Sequence, residues 1–203
     1  MLKKFRDWLT SGSTTIPVLE NGQQLKLSQR TKLSQSHFVL DDGNVLEPIV
    51  GSDKDVEALL AVQKACYNGE TPWNAAALHH ELKRNTNALY IVIRRFSEPV
   101  GFIGAWLVEK EAHITNVAVI PSFQKKGVAS WMIRELERIS VHEGMEILSL
   151  EVRMSNVKAQ RLYRELGFKD GKIKKFYYSN DHEDALEMSK KLVRNEGARF
   201  ESV

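Results

Sequence analysis

The order of periodic segments predicts an α/β (α+β) fold, a mixed and mostly antiparallel central sheet flanked by helices. Three observations carry that reading. Leu89–Arg94, Pro99–Val108 and His113–Ile120 are β-rich runs joined by short turns, the pattern of an antiparallel meander. Val128, Trp131, Met132, Leu136 and Ile139 then recur at helical spacing up to Glu143, with Gly144 as stop signal. A further strand at Ile147–Arg153 leads into a helix capped by Ser155 or Asn156 and ending at Gly167, before a final hairpin over 173–179 and 184–192.

The other elements follow in chain order. Met1–Leu9 reads as a short basic amphipathic helix with Leu2, Phe5 and Leu9 on one side. At that length it packs on its own domain or frays, a membrane-surface or partner-docking role being the alternative. Ser11–Thr15 is a linker, and residues 16–46 carry turn signals at Asn21-Gly22 and Asp41–Asn44, predicting a small β appendage. Leu46–Val50 is a first strand, and Asp53 is the expected N-cap of a helix carrying Val56, Leu59, Leu60 and Val62. Gly69 and Pro72 punctuate a loop before a second helix over 74–84. The expected division is an N-terminal extension at 1–45, one domain at 46–192 and a loose polar tail at 193–203.

A chain of 203 residues, 42% apolar and 27% charged, can bury a core of ordinary size. A net charge of +3 is too mild to argue for direct nucleic-acid binding, though it suits an anionic cofactor or a ribosomal surface. Cys66 is the single cysteine, which excludes an internal disulfide and points to a reducing compartment. The sequence has no apolar run long enough for a transmembrane segment and no signal-peptide core, so the expected location is cytoplasmic. The six histidines and one cysteine lack metal-ligand spacing, and no metal is expected.

The most informative stretch is Gln124-Lys125-Lys126-Gly127-Val128-Ala129, set between a strand stopped by Pro121 and a helix start. Strand, glycine-containing loop and helix N-terminus form a phosphate cradle, because unpaired N–H groups and the helix dipole face the anion. The loop is neither a Walker A motif nor GxGxxG. With Glu151-Val152-Arg153-Met154-Ser155-Asn156 and Arg161–Phe168 about twenty residues or more downstream, it resembles the GNAT superfamily of acyl-CoA-dependent N-acetyltransferases. Asn116–Val119, Glu151–Asn156 and Tyr177-Tyr178 ahead of Glu183-Asp184-Ala185 are similar to the ribosomal-protein alanine N-acetyltransferases (RimI type) within it. The resemblance covers residues 46–192 and leaves out the first forty-five.

It implies acetyl-CoA as cosubstrate, held by Gln124, Lys125, Lys126, Gly127, Val128, Ala129 and Ser130 around the pyrophosphate. Val117, Ala118 and Val119 would pair the pantetheine amides like an added strand, with a backbone N–H near Val117 as candidate oxyanion donor. Asn156 reads equally as a plain helix cap and as the asparagine that bonds the pantetheine arm. Acyl transfer to an amine needs a proton acceptor for the amine and a donor for the departing thiolate. Glu151, from its strand pattern alone, is a solvent-facing carboxylate; the resemblance makes it the base. Tyr163 reads as a core tyrosine or, by the resemblance, as the acid.

Trp73 either walls the acceptor groove or anchors its loop, and Tyr177 and Tyr178, on alternate faces of a strand, allow only one to face the acceptor. Cys66 reads as a small buried hydrophobe. Ala129 stands where glycine is commoner in the pattern. The implied acceptor is a protein N-terminus, that of a ribosomal protein. A lysine or small-amine acceptor, and a non-catalytic acyl-CoA-binding protein, are the alternatives.

Overall fold

The structure is a computed structural model describing residues 25–193. The expected helix at 1–9, the linker at 11–15, the Asn21-Gly22 turn and the tail from Arg194 lie outside the described residues. A helical turn α1 (Leu27–Arg30) precedes strands β1 (Phe38–Val39) and β2 (Val45–Val50), then helices α2 (Val56–Cys66) and α3 (Ala75–Arg84). The meander is β3 (Ala88–Arg95), β4 (Glu98–Val108) and β5 (Glu111–Val119). Helix α4 (Val128–His142), β6 (Ile147–Arg153), α5 (Val157–Glu165), β7 (Lys169–Lys174) and β8 (Ala185–Lys191) follow within the described residues. The eight strands form one sheet in the order β1-β2-β3-β4-β5-β6-β8-β7, antiparallel throughout except between β5 and β6. Among the described residues no helix is long and apolar enough to cross a membrane.

Period-two alternation makes this a three-layer structure. On β3, Leu89, Ile91 and Ile93 face the core under α4 and α5, whereas Ala88, Tyr90 and Val92 face the core under α2 and α3. Helix α4 buries Val128, Met132, Ile133, Leu136 and Ile139, close to the stripe its spacing predicted. Asn74 caps α3 by accepting from the Ala77 N–H, and Asn156 caps α5 by accepting from the Ala159 N–H.

Asp53 is not the cap it was expected to be. A short 3-10 turn over Asp53–Asp55 precedes α2, Asp55 accepts from the backbone and hydroxyl of Ser52, and Asp53 pairs with His79. Between residues 25 and 44 the only strand is the two-residue β1, and Leu27 and Leu40 are buried in the same core as α4. This segment straps along α4. Arg30 pairs with Glu143, Ser34 donates from N–H and Oγ to buried Glu135, and Phe38 stacks on Trp131 with ring centroids 4.6 Å apart.

One break in the sheet lies between β5 and β6. They pair only over Glu111–Ile114 against Ile147–Leu150, and then part. On the other side of β5, Gly104 faces Asn116 while Ala105 faces Ile114, so Thr115 is an extra residue, a β-bulge that bends the strand at the point of divergence. Gly104 permits this packing, because a β-carbon there would come within 2.6 Å of the Tyr90 ring and 3.0 Å of Thr115 Oγ1. Gly104→Ala should therefore destabilise the fold by about 1–3 kcal/mol through overpacking, read as a lower urea midpoint. A midpoint equal to wild type would show that the bulge yields without strain.

Candidate active site

Past the fork, Thr115–Val119 of β5 has a strand partner on the β4 side only. Ala118 and Val119 bury their side chains in opposite cores, with Val117 half-buried, and on the β6 side the backbone of this stretch has no strand partner. The Val119 carbonyl accepts from Gln124 Nε2 at 2.9 Å and from Cys66 Sγ at 3.2 Å. Gln124 thus ties the loop to the strand with its side chain. Burial pushes the Cys66 thiol up, outweighing that hydrogen bond, and the group stays a protonated packing residue.

The loop after β5 is shaped by two left-handed residues, Lys125 at φ 61° and Gly127 at φ 83°. Alternation of this kind turns successive N–H groups toward one side, as in anion-binding nests. Helix α4 begins at once. Its first intrahelical bond runs from the Trp131 N–H to the Gly127 carbonyl, which leaves the N–H groups of Val128, Ala129 and Ser130 without an intrahelical acceptor. No side chain caps this end, and its first turn holds no acid. Lys126 pairs with Asp42 at 2.8 Å, while Val128 and Ala129 pack on the core.

At the fork, side chains of β5 and β6 form a continuous polar chain. Glu111 and His113 share a face of β5, and Ser149 and Glu151 share the matching face of β6. His113 Nε2 lies 3.1 Å from Glu151 Oε2 and its Nδ1 lies 2.8 Å from Ser149 Oγ, whose hydroxyl donates to Glu111. Lys174 donates to the other oxygen of Glu151 and, at 2.7 Å, to Glu187. Burial works against charge on His113, but the hydrogen bonds and charges of Glu111 and Glu151 outweigh it and raise its pKa to about 9. Burial likewise raises Glu151, yet His113 and then Lys174 overcome it and hold the carboxyl at about 2. Glu151 is therefore not the solvent-facing carboxylate of the strand pattern; its side chain is only 9% exposed and is ion-paired on both sides.

Tyr163 reaches the fork from the α5 side, its ring 5.7 Å from that of Phe168. Burial pushes its phenol well up, and among the described residues no hydrogen bond engages its hydroxyl. Tyr67 and Tyr178 add to that upward shift, and the Tyr67 hydroxyl donates to Asn116 Oδ1 at 3.4 Å.

Tyr177 and Tyr178 are not on a strand. They sit in the loop between β7 and β8, rings edge to face at 5.2 Å, so the strand argument that only one could face the site does not apply. Tyr178 lies under the Arg153 guanidinium at 3.9 Å, and Arg153 is clamped by Asp181 and Glu183 of the same loop. Tyr177 is pushed up by burial and then by Glu151, so it remains a neutral donor.

Trp73 stands apart. Its N–H and carbonyl are held by the buried Gln63 side chain, its ring meets Trp106 edge-on at 6.3 Å, and no hydrogen bond or ring contact joins it to Glu151, Tyr163 or Tyr177. Sequence reasoning missed His113, Lys174, Tyr67 and Arg153. The one available signal was the alternation of Glu111 with His113 and of Ser149 with Glu151 on adjacent strands; the register that joins them is tertiary.

The profile of the acetyltransferase (GNAT) family matches residues 56–168. The putative [ribosomal protein bS18]-alanine N-acetyltransferase of Bacillus subtilis is 33% identical over 135 residues, 66% of this chain and 88% of that protein. The crystal structure of the ribosomal-protein-S18-alanine N-acetyltransferase from Escherichia coli superposes with a TM-score of 0.66 at 25% identity, covering 76% of this chain and 99% of that one. PaiA N-acetyltransferase of Thermoplasma acidophilum, solved with coenzyme A, shares the fold at a TM-score of 0.61 and 20% identity over 72% of this chain and 98% of its own.

The charged chain has a consequence for pH. His113 is held near 9 in the folded protein against an ordinary value of 6.5, so its contribution to stability is complete below about 6.5 and is lost as pH rises through about 9. The urea midpoint should fall between pH 6.5 and 9 for wild type, and fall less for His113→Gln. Parallel curves for the two proteins would remove His113 as the source.

Proposed function

This chain belongs to the GNAT family and is an N-acetyltransferase, and we propose that it acetylates the N-terminal α-amine of a ribosomal protein, with alanine as the terminal residue. The observation that carries this reading is likeness over nearly the whole length of two proteins named for that reaction, from Bacillus subtilis and Escherichia coli. An acceptor of that kind is made in the cytoplasm, and the reaction needs no contact with nucleic acid.

The family uses acetyl-CoA, and the residues present fit it. An uncapped helix N-terminus with three free N–H groups, entered through a left-handed turn that carries Lys125 and Lys126, suits a pyrophosphate. The singly paired edge of β5 suits an arm rich in amides. Val128, Ala129 and Ser130 would hold the phosphates through backbone N–H groups, joined by Gly127, Lys125 and Lys126. Gln124 would act by fixing the loop. Val117, Ala118 and Val119 would pair the arm, and Asn156 would combine its capping role with a contact to it. When bound, acetyl-CoA supplies an acetyl group already activated as a thioester.

The chain's own groups then handle two protons. Glu151 receives the acceptor's ammonium and takes its proton, directly or through water. An α-amine, with a pKa of about 7.7–8.0, gives up that proton over two units more readily than lysine. A carboxylate held at about 2 is poorly matched to this task at rest, so the cations beside it have to loosen as the acceptor arrives. Tyr163, kept protonated by burial, gives the hydroxyl proton to the departing sulfur. Tyr177 and Tyr178 line the acceptor side from their loop, and Trp73 acts as an anchor for its own loop.

Two experiments test this reading. A peptide with a free N-terminal alanine and blocked lysines should gain one acetyl group by mass, while the same peptide with its N-terminus blocked and its lysines free should stay inert. The reverse result would assign the protein to lysine acetylation, and acetylation of neither would favour a non-catalytic acyl-CoA-binding protein. Tyr163→Phe should keep the fold and CoA affinity while turnover falls by about 10²–10⁴-fold. Undiminished turnover would leave Tyr163 a packing residue.

A further inference from the structure

We propose that Lys174 is an internal stand-in for the acceptor, its ammonium occupying a seat for a primary ammonium between Glu151 and Glu187 that an incoming amine must clear. The inference rests on the reading of Glu151 as the residue that meets the acceptor's amine.

The seat is built into the strand register. Glu151 on β6 and Glu187 on β8 are direct cross-strand partners in an antiparallel pair. Like charges so placed destabilise a sheet, and their side chains share a face, so the pair calls for a cation between them. Lys174 supplies it from a distance. It sits two strands from Glu151, at the last residue of β7, paired with Ala185, which also faces Arg153 on β6. Its side chain has to run along the sheet to donate to both carboxylates, and it ends with Nζ 5.8 Å from the Tyr177 ring centroid. Two carboxylates and an aromatic face are what a primary ammonium needs for its three N–H groups and its charge.

The charge balance favours exchange over addition. Glu111, Glu151 and Glu187 face His113 and Lys174, three acids against two bases, and Lys174 is the only one of the two cations on a flexible stem. His113 is fixed by Ser149 on one side and Glu151 on the other. The contrast with Arg153 is instructive. Arg153 is held by Asp181 and Glu183, both on the β7–β8 loop, and covers Tyr178, so its partners are structural. The partners of Lys174 are groups of the reaction site, and it stands where β7 gives way to that loop, next to Lys175 and the left-handed Phe176. Departure of Lys174 also removes one of the two cations that keep the Glu151 carboxylate from accepting a proton.

The test uses the full chain, saturated with CoA, and alaninamide as a primary-ammonium probe. Lys174→Met and Lys174→Gln should each bind alaninamide at least tenfold more tightly than wild type by calorimetry. Adding Glu187→Gln to Lys174→Met should abolish the gain. If loss of the cation lowers the melting temperature, alaninamide should raise it more in these variants than in wild type, because the probe restores the missing charge. Equal or weaker affinity in both single variants would make Lys174 a plain strut and overturn the proposal. The peptide assay, run beside it, separates the two readings. Tighter amine binding without transfer to any N-terminus leaves the seat and removes the N-terminal acceptor. Transfer to N-termini with amine affinity indifferent to Lys174 removes the seat and leaves the acceptor.

Discussion

The site depends on one geometric fact, the parting of β5 from β6 after Ile114 and Leu150. A continuous sheet would satisfy every backbone group of Thr115–Val119 and present an unbroken surface to both layers of helices. The bulge at Thr115, allowed by the absence of a side chain at Gly104, bends β5 at the parting point and leaves one edge singly paired. The opening also lets groups from opposite faces of the sheet approach one place. Tyr163 belongs to the α5 layer, and Glu151 alternates to the opposite face of β6 from Leu150 and Val152; the proposed reaction would use the two together across the opening.

Around the fork, electrostatics are arranged with unusual density for a strand face. Glu111, Ser149, His113, Glu151, Lys174 and Glu187 link in sequence across four strands, each side chain partnered by the next. Such a chain holds its charged forms in place despite burial, because the lost hydration is replaced by neighbours of opposite sign. Its cost is that the carboxylate at its centre is a reluctant proton acceptor while both cations stay. If Glu151 takes a proton from an amine, as proposed above, one cation would have to leave, and the lysine on a flexible stem is better suited than the imidazole held between two strands.

The segment ahead of β2 acts on the other half of the site. Arg30, Ser34 and Phe38 fasten it along α4, and Asp42 reaches the Lys126 ammonium beside the helix N-terminus. The helix that offers its N–H groups to an anion is thus braced along its length. Lys126 is already paired with an acid of this chain, so a phosphate bound there, as proposed, would compete with Asp42. Both charged ends of the site hold an internal counter-ion.

Much of this was legible in the sequence. The meander, the stripe of α4 and the Asn156 cap follow from period and local chemistry, which depend on neighbours within a few residues. The turn at Gly127 belongs with them, since a strand, a glycine loop and a helix start are consecutive. What residues 25–44 pack against was not readable, because Arg30, Ser34 and Phe38 find their partners on and beside a helix about a hundred residues away. Nor was the environment of Glu151. Alternation put it on the polar face of its strand, but whether that face meets water or His113 and Lys174 depends on which strands become neighbours and in what register. Tyr177 and Tyr178 went the same way: their spacing suited a strand, and the loop they occupy is held by the clamp of Arg153 on Asp181 and Glu183. The sequence by itself determined most of the elements and the turn that opens α4, which are local; the tertiary structure alone decided the charge state of the site, which is set by side chains brought together from four different strands.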